Sequence, residues 1–196
     1  SKHLLNDTSR QTLTKLADQR SLAKAFKSMI EGEEVNRSEI RPALHTLLRG
    51  TGSGLHPEKT EEVNNTLDRM KSFVMGVHTG QKTGWTGECF TDVVNIGIGG
   101  SDLGPRLICD ALNKPDLCAR AHFVANIDPE DLDRTLRSLN PEKTLFVICS
   151  KSFSTEETLS NASRARSWLK VAGLPPNKVG HHLIAITSRI DRAVEL

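Results

Sequence analysis

The feature that most restricts the fold of this chain is a series of short apolar runs in its second half, each rich in β-branched side chains. The runs cover residues 93–98, 121–125, 144–149 and 183–187. Helical patterns separate them at about 102–112, 129–139 and 155–171. Apolar runs without polar alternation are typical of strands buried on both faces, and a repeated strand–helix order favours a parallel sheet covered by helices.

The first half of the chain has a different, helical pattern, so we predict a helical N-terminal extension over residues 1–80 and an α/β domain over 81–196. Asp7 or Ser9 is expected to cap a first helix. A second helix is expected to stop at Gly32, and a third to be capped by Asn36 or Ser38 and to end near Gly50.

The longest helical pattern begins at Pro57, a residue that suits the first turn of a helix, and is closed by Gly80. Apolar side chains recur along it at intervals of three and four residues. They are Val63, Leu67, Met70, Phe73, Val74 and Val77. Such a stripe is typical of a helix packed on a hydrophobic core, so we expect these side chains to be buried.

Charge and cysteine content restrict the partners and the cellular setting. A net charge of +2 without basic clusters argues against a nucleic-acid partner, and no apolar run is long enough for a membrane helix. The cysteines form no C-x-x-C pair, which argues against a zinc ribbon. Cys109 and Cys149 are expected to be buried, and a reducing, cytoplasmic location fits best. The histidines show no metal-ligand spacing, and His181 and His182 are expected to have structural or solvent roles.

The first candidate site is the glycine-rich segment 97–105 (GIGGSDLGP), directly after the first predicted strand. Ligands of open parallel sheets bind at the carboxyl ends of strands. Asp102 replaces the third glycine of a dinucleotide fingerprint, Pro105 replaces the lysine of a P-loop, and Leu103 breaks a nucleophile elbow. Ser101 is therefore expected to be a cap or a ligand donor; a tight turn without any ligand remains the alternative.

The second candidate site is the segment 150–155 (SKSFST), between the third predicted strand and a helix. Hydroxyl groups, a lysine and the amides of a helix N-terminus form an anion site that suits a phosphate. Glu156 and Glu157 follow at once and would repel an anion, so their carboxylates are expected to point away. The alternative is a serine-rich loop with an incidental helix cap.

Together the two segments resemble one family. Residues 93–105 (VVNIGIGGSDLGP) are similar to the signature of the glucose-6-phosphate isomerase family, and residues 150–162 (SKSFSTEETLSNA) are similar to its phosphate loop. Residues 32–49 and 121–128 also resemble that family. The resemblance implies a flavodoxin-like parallel sheet with flanking helices, a sugar-isomerase domain, here preceded by the helical segment.

The resemblance also implies an activity and site residues. The family interconverts glucose 6-phosphate and fructose 6-phosphate as a homodimer and uses no cofactor or metal. Gly100 and Ser101 would contact the sugar. The phosphate would be bound by Ser150, Lys151, Ser152 and Thr155.

The chain departs from the family pattern at Ser152, Ser154 and Glu156, of which Glu156 adds a charge near the phosphate. The resemblance places the catalytic glutamate, the ring-opening histidine and a late lysine beyond residue 196. The chain is therefore expected to be the N-terminal part of a longer enzyme, without catalytic residues and inactive alone. The alternatives are a non-catalytic sugar-phosphate-binding module or regulator and, disfavoured by Asp102, a nucleotide-dependent oxidoreductase.

Overall fold

The computed structural model describes residues 5–112 and 118–195. They divide into two compact units between Lys71 and Ser72, which we call the helical unit and the sheet unit. Within the described residues, no helix combines the length and the apolar character that crossing a bilayer requires.

The helical unit is built from short helices. Its elements are α1 (Asp7–Gln19), α2 (Leu22–Ile30), two 3₁₀ helices at His45–Arg49 and Ser53–Leu55, and the first part of α3 (Pro57–His78). Asn6 caps α1, because its side chain accepts a hydrogen bond of 2.8 Å from the Ser9 amide. The predicted cap at Asp7 or Ser9 is therefore wrong: Asp7 already has a helical backbone. Gly32, with a φ of 81°, follows the end of α2 as predicted.

The predicted third helix is wrong over most of its length. The Asn36 side chain does not cap a helix but accepts hydrogen bonds from the Ser38 hydroxyl and the Glu39 amide, which closes a turn. Only His45–Arg49 is helical, as a 3₁₀ helix that ends at Gly50. Asparagine favours turns for the same reason that it favours caps, so the sequence signal could not separate the two.

The apolar stripe of α3 is not buried as predicted. Leu67, Met70 and Val74 are 46%, 48% and 49% exposed, and Gly76 is the buried residue of this helix. The predicted 3.6-residue periodicity is present, and Val63, Phe73 and Val77 are half-buried, but no member of the stripe is fully enclosed. Periodicity indicates which face of a helix is apolar, not what covers that face.

The sheet unit follows the predicted alternation of strands and helices. Its strands are β1 (Asp92–Ile96), β2 (Arg120–Val124), β3 (Thr144–Cys149) and β4 (Leu183–Ile186). Its helices are α4 (Leu103–Leu112), α5 (Pro129–Leu136), α6 (Glu156–Val171) and α7 (Ile190–Ala193), besides short 3₁₀ turns. Asp128 caps α5 through a 3.0 Å hydrogen bond from the Glu130 amide.

All four strands are parallel and lie in the order β2-β1-β3-β4. The two central strands supply fully buried side chains, with Val94, Ile96, Phe146 and Ile148 at most 1% exposed. Side chains of α5 and α6 belong to the same hydrophobic cluster. Full burial of each such side chain stabilises the fold by about 1.5–3 kcal/mol. The predicted α/β, flavodoxin-like fold is confirmed, and its strand order is the one expected for that class.

The cysteine predictions are confirmed only in part. Cys149 is half-buried at the end of β3, whereas Cys109 is exposed. The prediction for Cys109 is therefore wrong, because α4 buries none of its residues. A helical sequence pattern reports the face on which a thiol lies, but not whether another element covers that face.

Candidate functional site

Both predicted loops lie at one edge of the sheet. β1 and β3 are parallel neighbours in which Ile96 pairs with Ile148, so the residues that follow these two strands emerge side by side. β2 lies on one side of β1 and β3 on the other, which makes this the point where the strand order reverses. Open α/β sheets bind ligands in the crevice at such a point.

The first loop turns sharply after β1 into a 3₁₀ turn, Gly99–Ser101. A Cβ atom at Gly97 would lie 2.8 Å from both the Cβ and the carbonyl oxygen of Ser101, and 3.1 Å from the Cβ of Cys149. Only glycine allows Ser101 to fold back this closely. Gly100 is exposed, and apart from its own chain neighbours no atom lies within 4 Å of its ideal Cβ position, so a ligand has room to approach it.

A buried asparagine connects the first loop to β3. Asn95 in β1 is 9% exposed, and its Nδ2 donates a 3.0 Å hydrogen bond to the Ser101 carbonyl oxygen. Its Oδ1 accepts a 3.2 Å hydrogen bond from the Cys149 thiol. Burial raises the pKa of Cys149, which keeps the thiol protonated and able to donate. Sequence reasoning missed Asn95, although an amide inside an otherwise apolar strand was a usable signal.

The second loop gathers hydroxyl groups between β3 and α6. Ser150 is 4% exposed, and its Oγ lies 3.3 Å from Oγ1 of Thr155. Ser152 is exposed and its Oγ accepts a 2.8 Å hydrogen bond from the Ser154 hydroxyl. Lys151, between Ser150 and Ser152, is exposed as well. The predicted hydroxyl groups are thus brought together in two contacting pairs.

Phe153 anchors this loop in the core. Its backbone has a φ of 46°, a conformation that costs a residue other than glycine about 1–2 kcal/mol. Its amide closes a turn on the Ser150 carbonyl at 3.2 Å, and its side chain is 3% exposed within the hydrophobic cluster. Burial of the aromatic ring offsets the cost of the turn and fixes the hydroxyl groups on either side of it.

The segment after β4 holds the backbone of the second loop. The Lys151 carbonyl oxygen accepts hydrogen bonds from the Ser188 amide (3.1 Å), the Ser188 hydroxyl (2.7 Å) and the Thr187 hydroxyl (3.1 Å). Arg192 donates a 3.2 Å hydrogen bond to the Ser152 carbonyl oxygen. Sequence reasoning missed these residues, because only tertiary structure brings them to the loop.

The electrostatics of the second loop favour an anion. Thr155 occupies the N-cap position of α6 without a capping hydrogen bond from its side chain. Because the second loop leads directly into the N-terminus of α6, the positive end of the α6 dipole faces the loop that carries Lys151. Glu156 is exposed and Glu157 half-buried in the first turn of the helix. Hydroxyl groups, a helix N-terminus and an ammonium group together can bind a compact, multiply charged ligand.

The histidine predicted to be structural is confirmed as such. His182 is fully buried, its Nδ1 lies 2.6 Å from the Thr144 carbonyl oxygen, and its Nε2 accepts a 2.9 Å hydrogen bond from the Trp85 amide. Burial lowers the pKa of His182, against the raising effect of the Thr144 hydrogen bond, and so favours the neutral ring. Among the described residues, no group of three His, Cys, Asp or Glu side chains could hold a metal ion.

Comparison with known proteins gives one consistent result. The family model for phosphoglucose isomerase matches residues 1–196. The chain is 46% identical over 198 residues to glucose-6-phosphate isomerase of Saccharophagus degradans and 42% identical over 191 residues to that of Methylococcus capsulatus. These alignments cover 100% and 94% of this chain, but 36% and 35% of the two relatives. The chain therefore spans about a third of the length of the curated relatives it matches.

A solved structure agrees with the sequence matches. The crystal structure of a glucose-6-phosphate isomerase from Chlamydia trachomatis superimposes with a TM-score of 0.74 at 28% identity. The match covers 94% of this chain and 36% of the solved one. The arrangement of the two loops thus belongs to a fold that is also found in a glucose-6-phosphate isomerase.

Proposed function

Because the chain belongs to the phosphoglucose isomerase family, we propose that it supplies the substrate-binding loops of a glucose-6-phosphate isomerase. Such an enzyme interconverts glucose 6-phosphate and fructose 6-phosphate in glycolysis and gluconeogenesis. The observation that carries the proposal is the shared edge: the loops after β1 and β3 meet where the strand order reverses. One loop offers glycine backbone, and the other offers hydroxyl groups and a lysine.

The second loop binds the phosphate end of the substrate in this proposal. Its binding groups are Ser150, Lys151, Ser152 and Thr155. The hydroxyl groups and the α6 amides donate hydrogen bonds to phosphate oxygens, and the ammonium group offsets their charge. Glu156 is exposed, so solvent and salt screen its repulsion of the phosphate.

The first loop contacts the sugar through Gly100 and Ser101. Gly100 leaves space for a close approach of the hexose, and the Ser101 hydroxyl can donate to or accept from a sugar hydroxyl. The phosphate fixed by one loop and the sugar placed by the other define the direction of the hexose along the crevice.

Isomerisation moves a proton between C1 and C2 through an enediol. The step needs a carboxylate base beside the carbon and a group that opens the sugar ring. We propose that these groups lie outside the present 196 residues and that this chain contributes binding energy, which orients the reacting carbons. The 196-residue chain is accordingly expected to bind fructose 6-phosphate without turning it over.

The same proposal extends to the setting of the full-length enzyme, which we expect to be a cytoplasmic homodimer. Size-exclusion chromatography with light scattering on the full-length protein tests the homodimer: a mass of two chains supports this part of the proposal, and a monomer contradicts it.

The central experiment is a calorimetric titration of the chain with fructose 6-phosphate and with inorganic phosphate. Lys151→Ala removes a charge-assisted contact worth about 1.5–3 kcal/mol, so both affinities are expected to fall about tenfold or more. Lys170→Ala is the matched control, because it removes an ammonium group at the opposite end of α6. Equal affinities for Lys151→Ala and Lys170→Ala would show that the second loop is not part of the site. Turnover by the 196-residue chain in a coupled isomerase assay would contradict the proposal that this chain binds the substrate without catalysing its isomerisation.

A further inference from the structure

Asn95 is a buried residue whose side chain contacts both the first loop and the end of β3, the strand that leads into the second loop. Its amide donates to the Ser101 carbonyl oxygen at 3.0 Å and accepts from the Cys149 thiol at 3.2 Å. We propose that Asn95 is a positioning residue that sets the affinity for the sugar part of the ligand without touching the ligand. The inference rests on the function proposed above and deepens it.

The chemistry of the position calls for an amide. Ser101 presents an acceptor and Cys149 presents a donor, and the Asn95 amide meets them with a donor and an acceptor on two separate atoms, Nδ2 and Oδ1. Asn95 is buried, so an apolar replacement would leave the Ser101 carbonyl oxygen without that partner. The 3₁₀ turn Gly99–Ser101 would then lose the side-chain contact that ties it to β1.

The contacts that hold the backbone of the second loop do not involve Asn95. Thr187, Ser188 and Arg192 hold its backbone through the carbonyl oxygens of Lys151 and Ser152. Phe153 anchors it in the core. Loss of the Asn95 amide should therefore loosen the loop that contacts the sugar and spare the loop that contacts the phosphate. This separation distinguishes positioning from a general contribution to stability.

The test compares two ligands across three variants. Asn95→Leu replaces the amide by an apolar group of similar size, and Asn95→Val is a smaller apolar replacement that suits a strand. Thr144→Val is the matched control: it removes a 2.7 Å hydrogen bond from a fully buried side chain to the Asn140 carbonyl oxygen, at the opposite end of β3. Each variant is titrated with fructose 6-phosphate and with inorganic phosphate.

We expect both Asn95 variants to bind fructose 6-phosphate about three- to tenfold more weakly while their affinity for inorganic phosphate stays within about twofold. Thr144→Val should leave both affinities unchanged. Equal weakening for both ligands, unchanged fructose 6-phosphate binding, or failure of both Asn95 variants to fold while Thr144→Val folds would each overturn the inference. Absence of fructose 6-phosphate binding by the unaltered chain would instead overturn the proposed function, and this inference with it.

Discussion

The sheet unit and the helical unit differ in how far each encloses its own apolar side chains. In the sheet unit, Val94, Ile96 and Phe146 are completely buried. In the helical unit, α1 and α2 bury no residue, and Leu13 and Phe26 are 52% and 54% exposed. A parallel sheet buries its central strands between neighbouring strands and covering helices. A helix buries its apolar stripe only where another element packs against that stripe. Stability should therefore be concentrated in the sheet unit.

Truncating one apolar side chain in each unit tests this difference most strongly. Phe146→Ala creates a cavity beneath β3 and is expected to lower the free energy of unfolding by about 3–5 kcal/mol. Leu67→Ala removes a side chain that is 46% exposed and should cost less than about 1 kcal/mol. Urea denaturation of the two variants measures both values. Similar losses would mean that the stripe of α3 is enclosed after all.

A glycine substitution in each unit should give a smaller contrast. Gly97→Ala places a Cβ 2.8 Å from the Ser101 carbonyl oxygen, and such overpacking is expected to cost about 1–3 kcal/mol. Gly54 has open space around its Cβ position, so Gly54→Ala should be neutral or stabilise the chain by up to about 1 kcal/mol. Thermal unfolding measures the sign of each change in stability. If Gly54→Ala destabilised the chain and Gly97→Ala did not, the expected difference between the two units would be contradicted.

The smallest effect expected is a pH dependence that arises in the sheet unit. Burial lowers the pKa of His182 below its ordinary value of 6.5, with His181 acting in the same direction and the Thr144 hydrogen bond opposing it. The unfolded chain binds the proton more readily, so stability is complete above pH 6.5 and falls as the pH drops below it. His182→Phe should remove this slope from denaturation curves recorded between pH 7.5 and about 5. An unchanged slope would assign the acid sensitivity to other groups.

A second acid-sensitive group lies at the start of β1. Burial raises the pKa of Asp92, but hydrogen bonds from His122, Thr91 and Arg120 outweigh it and hold the pKa below its ordinary value of 3.8. Its stabilisation is therefore present above pH 3.8 and is lost as the pH falls further. His182 and Asp92 thus affect folding stability in separate pH ranges. Asp92→Asn should flatten the pH dependence of stability only in the lower range.

Much of the sheet unit could be predicted because its signals are local. The run at Thr144–Cys149 matches β3 residue for residue, and Asp128 followed by Pro129 marks the start of α5. The two candidate loops could also be placed, since a loop that follows a parallel strand must lie at the carboxyl edge. The helical unit was harder, because Asn36 carries a signal shared by turns and helix caps.

The sequence by itself determined the class of fold, the edge on which the two loops lie and the residue types they present. Strand periodicity, turn residues and helix caps act over a few neighbouring positions, so a single pass along the chain can read them. Tertiary structure alone decided that the Cys149 thiol donates to Asn95 and that Ser188 holds the Lys151 carbonyl oxygen. Such contacts join residues far apart in the chain, and they exist only after strand order and register have brought their partners within hydrogen-bond distance.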